Sequence, residues 1–122
     1  ELLETTSIVG ELHITGDGPE PTGDQRTLVR RVVGEGLRNV AKYAGATEVA
    51  VSIRRSKAWL VVEVEDDGNG DPSAVRLAAH RAGGEGFGLR SILTEASRLG
   101  GRAYIEQSRR LGGVSLSVSI PV

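Results

Sequence analysis

Apolar positions along this chain follow two different periods. Val29, Val33, Leu37, Val40 and Ala44 recur at steps of three and four, the repeat of one face of an amphipathic helix. Glu35, Asn39 and Lys42 form a row on the opposite face, Glu35 and Asn39 being neighbours at four residues' separation. The pattern predicts a helix from about residue 25 to 44, with Thr22 or Asp24 as its N-cap and Gly45 at its C-terminal end. Val49, Val51 and Ile53 then alternate with Ala50, Ser52 and Arg54, which is the period of a strand. A polar turn, Arg54 to Lys57, separates it from a second strand over residues 58–65. Two strands joined by so short a turn predict an antiparallel hairpin.

The same reading extends to both ends. Residues 1–7 read as the end of an upstream element, and residues 10–15 alternate as a strand. Gly, Pro and Asp make residues 16–24 a loop. Ser73 is placed to cap a short helix reaching Ala82, and a glycine cluster follows at 83–88. Leu89, Ile92, Leu93, Ala96 and Leu99 form a second helical stripe, ended by Gly100 and Gly101. Residues 102–108 predict a strand, 109–113 a turn, and Val114, Leu116, Val118 and Ile120 alternate with serines in a last strand before Pro121. Hairpins in this order argue against a doubly wound parallel sheet. They predict an α+β fold, a two-layer sandwich whose mixed, mostly antiparallel sheet carries its helices on one face.

Composition narrows the function classes. At 122 residues the chain is one domain with enough length for a core without staples. A net charge of -1 gives no footprint for nucleic acid or a membrane surface. The absence of cysteine excludes disulfides, zinc–thiolate sites and cysteine nucleophiles. The chain has no methionine, which reads as a piece of a longer protein. With two well-separated histidines, His13 and His80, no histidine metal cluster is expected, and neither sits in the helical setting of a phosphoacceptor. Trp59 reads as a packing residue, and Arg54, Arg55 and Lys57 as a solvated turn.

Three stretches carry candidate chemistry, and each alone also fits a plain structural role. Asp66-x-Gly68-x-Gly70 leaves a strand. A carboxylate there accepts a hydrogen bond from an exocyclic amine such as adenine's, and the glycines let the backbone approach a flat ligand; an ordinary Asp/Gly turn has the same sequence. Gly83-Gly84-x-Gly86-x-Gly88-Leu89 opens a helix, where free N–H groups suit phosphate. It has no Gly-Lys-Ser/Thr and no preceding strand, so it is neither a Walker loop nor a Rossmann fingerprint. The Glu35/Asn39/Lys42 row could be a solvated surface. Facing a nucleotide, Asn39 offers an oxygen to Mg²⁺, Lys42 a charge to phosphate, and Glu35 a base.

The order of the three resembles the GHKL ATPase superfamily of gyrase, heat-shock chaperone, histidine kinase and mismatch-repair ATPases. Glu35-Gly36-Leu37-Arg38-Asn39 looks like its N box, Asp66-Asp67-Gly68-Asn69-Gly70 like its G1 box, and Gly86-Phe87-Gly88-Leu89 like its G2 box. Within it the chain is most similar to the catalytic, ATP-binding domain of sensor histidine kinases, the NarL-partner class with a short lid. Lys42, Leu99-Gly100-Gly101 and Ile120-Pro121 also follow that pattern. Two residues depart from it: Tyr43 stands where histidine is usual, and Gly36 where alanine is usual.

The resemblance implies ATP and Mg²⁺ as cofactors. Asp66 would bind the adenine amine, with Gly68 and Gly70 beside it. Asn39 would hold Mg²⁺ and share the catalytic role with Glu35. Lys42 would contact phosphate, Tyr43 would take the histidine's place, and Gly84, Gly86, Phe87, Gly88 and Leu89 would line the triphosphate. Residues 71–85 would be the lid, which glycines and sparse apolar residues make mobile. The implied partners are a dimerisation and phosphoacceptor domain of the same protein, homodimeric at full length, and a response regulator. The implied place is the cytoplasm, with no membrane contact by this domain, which is expected to be a monomer on its own. A GHKL serine kinase of the anti-sigma type and a degenerate nucleotide-binding module that no longer turns over are the two alternatives.

Overall fold

The structure, a computed structural model, describes residues 9–43, 45–69, 71–79 and 87–122; the side chains at 41–43, 76–79 and 87 lie outside that description. The element order is β1 (Val9–Gly16), α1 (Gly23–Tyr43), β2 (Glu48–Arg55), β3 (Trp59–Asp66), α2 (Pro72–Ala79), α3 (Phe87–Arg98), β4 (Arg102–Gln107) and β5 (Val114–Pro121). The five strands form one sheet in the order β1-β2-β3-β5-β4. β1 and β2 are parallel, bridged by α1, and every other pairing is antiparallel. The expected mixed, mostly antiparallel sheet is therefore present.

Period-2 alternation gives this sheet two unlike faces. Val49 and Val51 of β2, Leu60, Val62 and Val64 of β3, and Leu116, Val118 and Ile120 of β5 are buried. Together with Leu28 and Val32 of α1 and Leu89, Ile92 and Ala96 of α3, they make the core. Each fully buried Leu, Ile or Val there contributes about 1.5–3 kcal/mol. The other face carries the serines of β5 and the glutamates of β3. β1 lies at the sheet edge with all eight residues exposed, including Leu12 and Ile14.

Local signals at the helix ends act as the residues dictate. Thr22 caps α1 reciprocally: its Oγ1 accepts from Gln25 N at 3.3 Å, and Gln25 Oε1 accepts from Thr22 N at 2.9 Å. α3 ends with Gly101 N donating to Ala96 O at 2.8 Å around Gly100, whose φ of 82° is strained for any residue with a side chain. Gly45 adopts a φ of 53° after α1.

Several expectations are corrected. The buried stripe of α1 is Leu28, Val32, Gly36 and Val40, with Val29 and Val33 only partly buried and Leu37 42% exposed. The helix is turned from the orientation its valines suggest, because Gly36 makes the closest approach to the sheet: a Cβ on it would meet Val64 Cβ at 2.7 Å. The short helix is capped by Asp71, not Ser73; Asp71 Oδ1 accepts from Ser73 N at 2.9 Å and Asp71 O from Val75 N at 3.1 Å. Its Val75 is 7% exposed and joins the core, so this part of the expected lid is anchored. Trp59 is 46% exposed and does not pack in the core. Arg55 belongs to β2 and is half-buried, donating to Glu20 Oε1 at 2.7 Å.

Candidate nucleotide site

Asp66 is the last residue of β3 and points to the helix-bearing face, as Val62 and Val64 do. It is 5% exposed, an environment that an acceptor-only group tolerates when donors surround it. Two backbone donors hold its Oδ1, Gly68 N at 2.9 Å and Val114 N at 3.2 Å. Its carbonyl accepts from Gly113 N at 2.9 Å. Among the described residues no donor to Oδ2 is recorded. Among the described residues the carboxylate is thus held through one oxygen.

Gly113 and Val114 are the residues that sequence reasoning missed. A Cβ on Gly113 would overlap Asp66 Oδ1 and lie 2.7 Å from Gly68 N, so the turn between β4 and β5 closes on Asp66 only through a glycine. The signal in the chain was the Gly112-Gly113 pair, read there as a plain turn. That turn is itself tied down. Ser108 N donates to Gly113 O at 2.6 Å, and Ser108 Oγ donates to the buried carboxylate of Glu65 at 2.6 Å.

Asp67, the next residue of the motif, faces away from the site. Its Oδ1 accepts from Thr47 N at 2.8 Å and Glu48 N at 2.9 Å, and its Oδ2 from Thr47 Oγ1 at 2.6 Å. These bonds hold its carboxyl below the usual carboxylate range, the Thr47 hydroxyl being the largest cause. Asp67 pins the start of β2 to the end of β3, and so fixes the strand end from which Asp66 projects.

Glu35 is brought to α3 rather than to solvent. It is 7% exposed, and its Oε1 accepts from Arg38 Nη2 at 2.6 Å. A Cβ on Gly88 would overlap the same oxygen. The second glycine of the Gly-x-Gly pair thus leaves the space that the Glu35 carboxylate occupies between α1 and α3. One turn away, Arg31 Nη1 donates to Ser91 Oγ at 2.7 Å, a second tie between α1 and α3. Arg31, Glu35, Arg38, Gly88, Ser91 and Ile92 line a cavity of about 200 Å³. The row read as lying opposite the apolar stripe is corrected at this residue: Glu35 shares the inner side of α1 with Gly36, while Asn39 is half-buried one turn on.

The structure thus assembles two groups on the helix-bearing face. Asp66, Gly68 and Gly113 stand at the end of β3, and Glu35 with Gly88 stands where α1 meets α3. The Gly36–Val64 contact joins them, since Val64 precedes Asp66 by two residues on the same face of β3. Leu89 is 3% exposed and belongs to the core, so its part in the Gly-x-Gly-Leu pattern is to seat the start of α3. Gly70, Gly84, Gly86, the side chains of Lys42, Tyr43 and Phe87, His80, and lid residues 80–85 lie outside the described residues.

The donor set fits a magnesium nucleotide. Asp66 and its backbone cradle suit an amine-bearing base. Asn39 supplies one oxygen of the kind Mg²⁺ takes together with phosphate and water. Among the described residues no group of three or more His, Asp or Glu side chains forms a metal cage of its own.

Comparison with known proteins agrees with this geometry. Residues 23–122 match the family model described as histidine kinase-, DNA gyrase B- and HSP90-like ATPase. The chain is 34% identical over 119 residues to the signal transduction histidine-protein kinase/phosphatase UhpB of Salmonella typhimurium, covering 98% of this chain and 22% of that protein. It is 32% identical over 104 residues to the sensor-type histidine kinase PrrB of Mycobacterium tuberculosis, covering 76% of this chain and 23% of that one. The chain therefore spans less than a quarter of the length of these curated relatives. Among solved structures it resembles the ATP binding domain of PrrB from Mycobacterium tuberculosis, with a TM-score of 0.65 and 28% identity over 91% of this chain and 79% of that one. It shares its fold with the catalytic domain of the histidine kinase ThkA, at a TM-score of 0.70 and 17% identity over 98% of this chain and 82% of that one. With the matched segment running from the start of α1 to the final residue, the chain belongs to the family of histidine kinase-, DNA gyrase B- and HSP90-like ATPases.

Proposed function

We propose that this chain is the ATP-binding catalytic domain of a two-component sensor histidine kinase of the short-lid, NarL-partner class. It positions Mg-ATP so that the γ-phosphate passes to a histidine on a separate dimerisation domain of the same protein, for relay to a response regulator. The observation that carries the reading is Asp66: a buried carboxylate at a strand end, held through one oxygen by Gly68 and Val114 and with no partner on the other among the described residues. Such a group accepts a base's exocyclic amine without reorganising, which is where its contribution lies.

The remaining roles rest on the family resemblance. ATP supplies the transferable phosphoryl group and the charge that Mg²⁺ offsets. Asn39 is assigned to Mg²⁺ and Lys42 to phosphate. Tyr43 is assigned a phosphate hydrogen bond through its hydroxyl. By the same resemblance Gly70 is assigned to the base, and Gly84, Gly86, Phe87, Gly88 and Leu89 to the triphosphate. Glu35 is assigned to positioning: its bond to Arg38 and its packing on Gly88 support a role in setting α1 against α3 more than one as a free base. That UhpB and PrrB are histidine kinases supports a histidine rather than a serine acceptor. No helix of the described residues is long and apolar enough to cross a membrane; we place this domain in the cytoplasm, in a protein that is homodimeric at full length and attached to the membrane elsewhere in its chain.

Calorimetric titration with a non-hydrolysable ATP analogue, with and without Mg²⁺, tests the reading. Saturable binding is expected, weakened roughly 10- to 100-fold by Asp66→Ala, the scale of losing a hydrogen bond to a charged group. Removing Mg²⁺ should weaken the wild type and leave Asn39→Ala nearly unaffected. Absence of binding by the wild type, or an Asp66→Ala variant that binds as tightly, would falsify the assignment.

A further inference from the structure

The face of the sheet that bears no helices is divided by charge. At the Asp66 end its register rows are Glu11–Ala50–Glu65–Ser115–Glu106 and His13–Ser52–Glu63–Ser117–Tyr104. These hold four glutamates. The next row, Thr15–Arg54–Val61–Ser119–Arg102, has no carboxylate and two arginines. Trp59 lies one step beyond it on the same face of β3, with Lys57 exposed in the adjoining turn.

Trp59 is the chain's single tryptophan, and it is 46% exposed; Tyr104 is 42% exposed. The two flank Arg102 and Ser119, and with Gly100 these residues line an open cavity of about 450 Å³. Arg54 stands 3.8 Å from Glu63. No ion pair of Arg102 or Lys57 is recorded among the described residues.

A chain with only four aromatic residues thus places two of them on its solvent face beside an arginine. Exposing that much aromatic area forgoes the burial that would stabilise the fold. Trp, Tyr and Arg are also the residue types that dominate binding energy at protein interfaces. The local charge selects the partner: around the aromatic walls Arg54, Lys57 and Arg102 outnumber Glu63, which favours a segment that is apolar and acidic and disfavours a basic one.

We infer that the surface around Trp59, Arg102 and Tyr104 docks an apolar, acidic segment of a partner protein. It lies on the opposite face of the sheet from the Asp66 and Glu35 groups and at the far end of β3, so its occupant does not compete with nucleotide and it stands apart from the proposed function.

A random-peptide phage library selected on this 122-residue chain, with Arg102→Glu protein as competitor, tests the inference. Selected peptides should pair aromatic or aliphatic residues with Asp or Glu. Bound as synthetic peptides without tryptophan, they should shift Trp59 emission to the blue with saturation. Arg102→Glu or Tyr104→Ala should weaken them at least about tenfold, with affinity for the ATP analogue and the far-ultraviolet circular dichroism unchanged. Failure to enrich any peptide, peptides of basic character, peptides that bind Arg102→Glu equally well, or a blue shift that grows with protein concentration alone and sediments as a dimer would each overturn it.

Discussion

Gly113 and Asp66, forty-seven positions apart in the sequence, are so close that a single methyl group on the glycine would overlap the carboxylate. The turn between β4 and β5 therefore serves as the back wall of the candidate base pocket. Overpacking of this kind costs about 1–3 kcal/mol. Gly113→Ala is expected to lower stability by that amount in urea unfolding and to weaken nucleotide analogue binding several-fold in calorimetry, although no side chain that would touch the nucleotide is altered. Equal affinity in a destabilised variant would separate the turn from the pocket.

Gly36 sits at the closest approach of α1 to β3. Restoring the family's more usual alanine has two opposed consequences. Helix propensity improves by about 1 kcal/mol, while the new methyl meets the buried, branched Val64 at 2.7 to 2.8 Å, at a cost of about 1–3 kcal/mol. The second effect is the larger. Gly36→Ala is expected to be destabilised by on the order of 1 kcal/mol, and Gly36→Ala with Val64→Ala to recover part of the loss. Thermal melts of the two variants decide it; a stabilised Gly36→Ala would mean that α1 lifts freely from the sheet.

Arg38 is the only recorded ion-pair partner of the buried Glu35 among the described residues. The Arg38 side chain is 70% exposed while the Glu35 side chain is 9% exposed, so solvent screens part of the interaction. Arg38→Ala should cost roughly 1–2 kcal/mol. Glu35→Gln should cost less in the Arg38→Ala background than in the wild type, a coupling that a double-mutant cycle in denaturant reads directly. Additive single effects would show that the bond contributes nothing.

Glu63 and Asp67 make stability depend on pH with opposite signs. Burial, followed by the neighbouring charge of Glu65 and partly offset by Arg54, raises the Glu63 carboxyl above its ordinary value of 4.5. The folded state then holds this proton more tightly, so ionising Glu63 costs stability as pH rises from that value through the raised one. Asp67 is lowered below its ordinary 3.8, so its contribution is present above 3.8 and lost as pH falls through the lowered value. Glu63→Gln should therefore be more stable than wild type at neutral pH, with the gain vanishing in acid. Asp67→Asn should be less stable at neutral pH, converging with wild type in strong acid. Unfolding midpoints across the acid range test both, and a parallel shift of either curve at all pH values would refute the corresponding assignment.

The three candidate motifs were legible because each is local. Asp66-x-Gly68-x-Gly70 ends a strand marked by alternating valines, and the Gly-x-Gly pair opens a helix marked by leucine spacing. The N-cap at Thr22 and the C-terminal glycines at 45 and 100 were legible for the same reason, since capping involves neighbours in the chain. Strand pairing followed from turn length for the hairpins, and family resemblance carried the remaining assignments of the site.

What the sequence determined by itself was thus the set of elements, the α+β class and the resemblance of the stretches holding Asp66, Asn39 and the glycines to a nucleotide-binding pattern, all encoded in periodicities and short motifs. Tertiary structure alone decided which side of α1 is inside. Its valines suggested one rotation, but the small residue Gly36 permits the nearest approach to β3 and turns Glu35 inward against Gly88. It alone decided that Trp59 is on the surface, because burial depends on which face of the sheet the helices cover, and alternation does not say which. It alone brought Gly113 to Asp66, since a contact between distant residues is set by strand order and register rather than by anything either residue shows in its own neighbourhood.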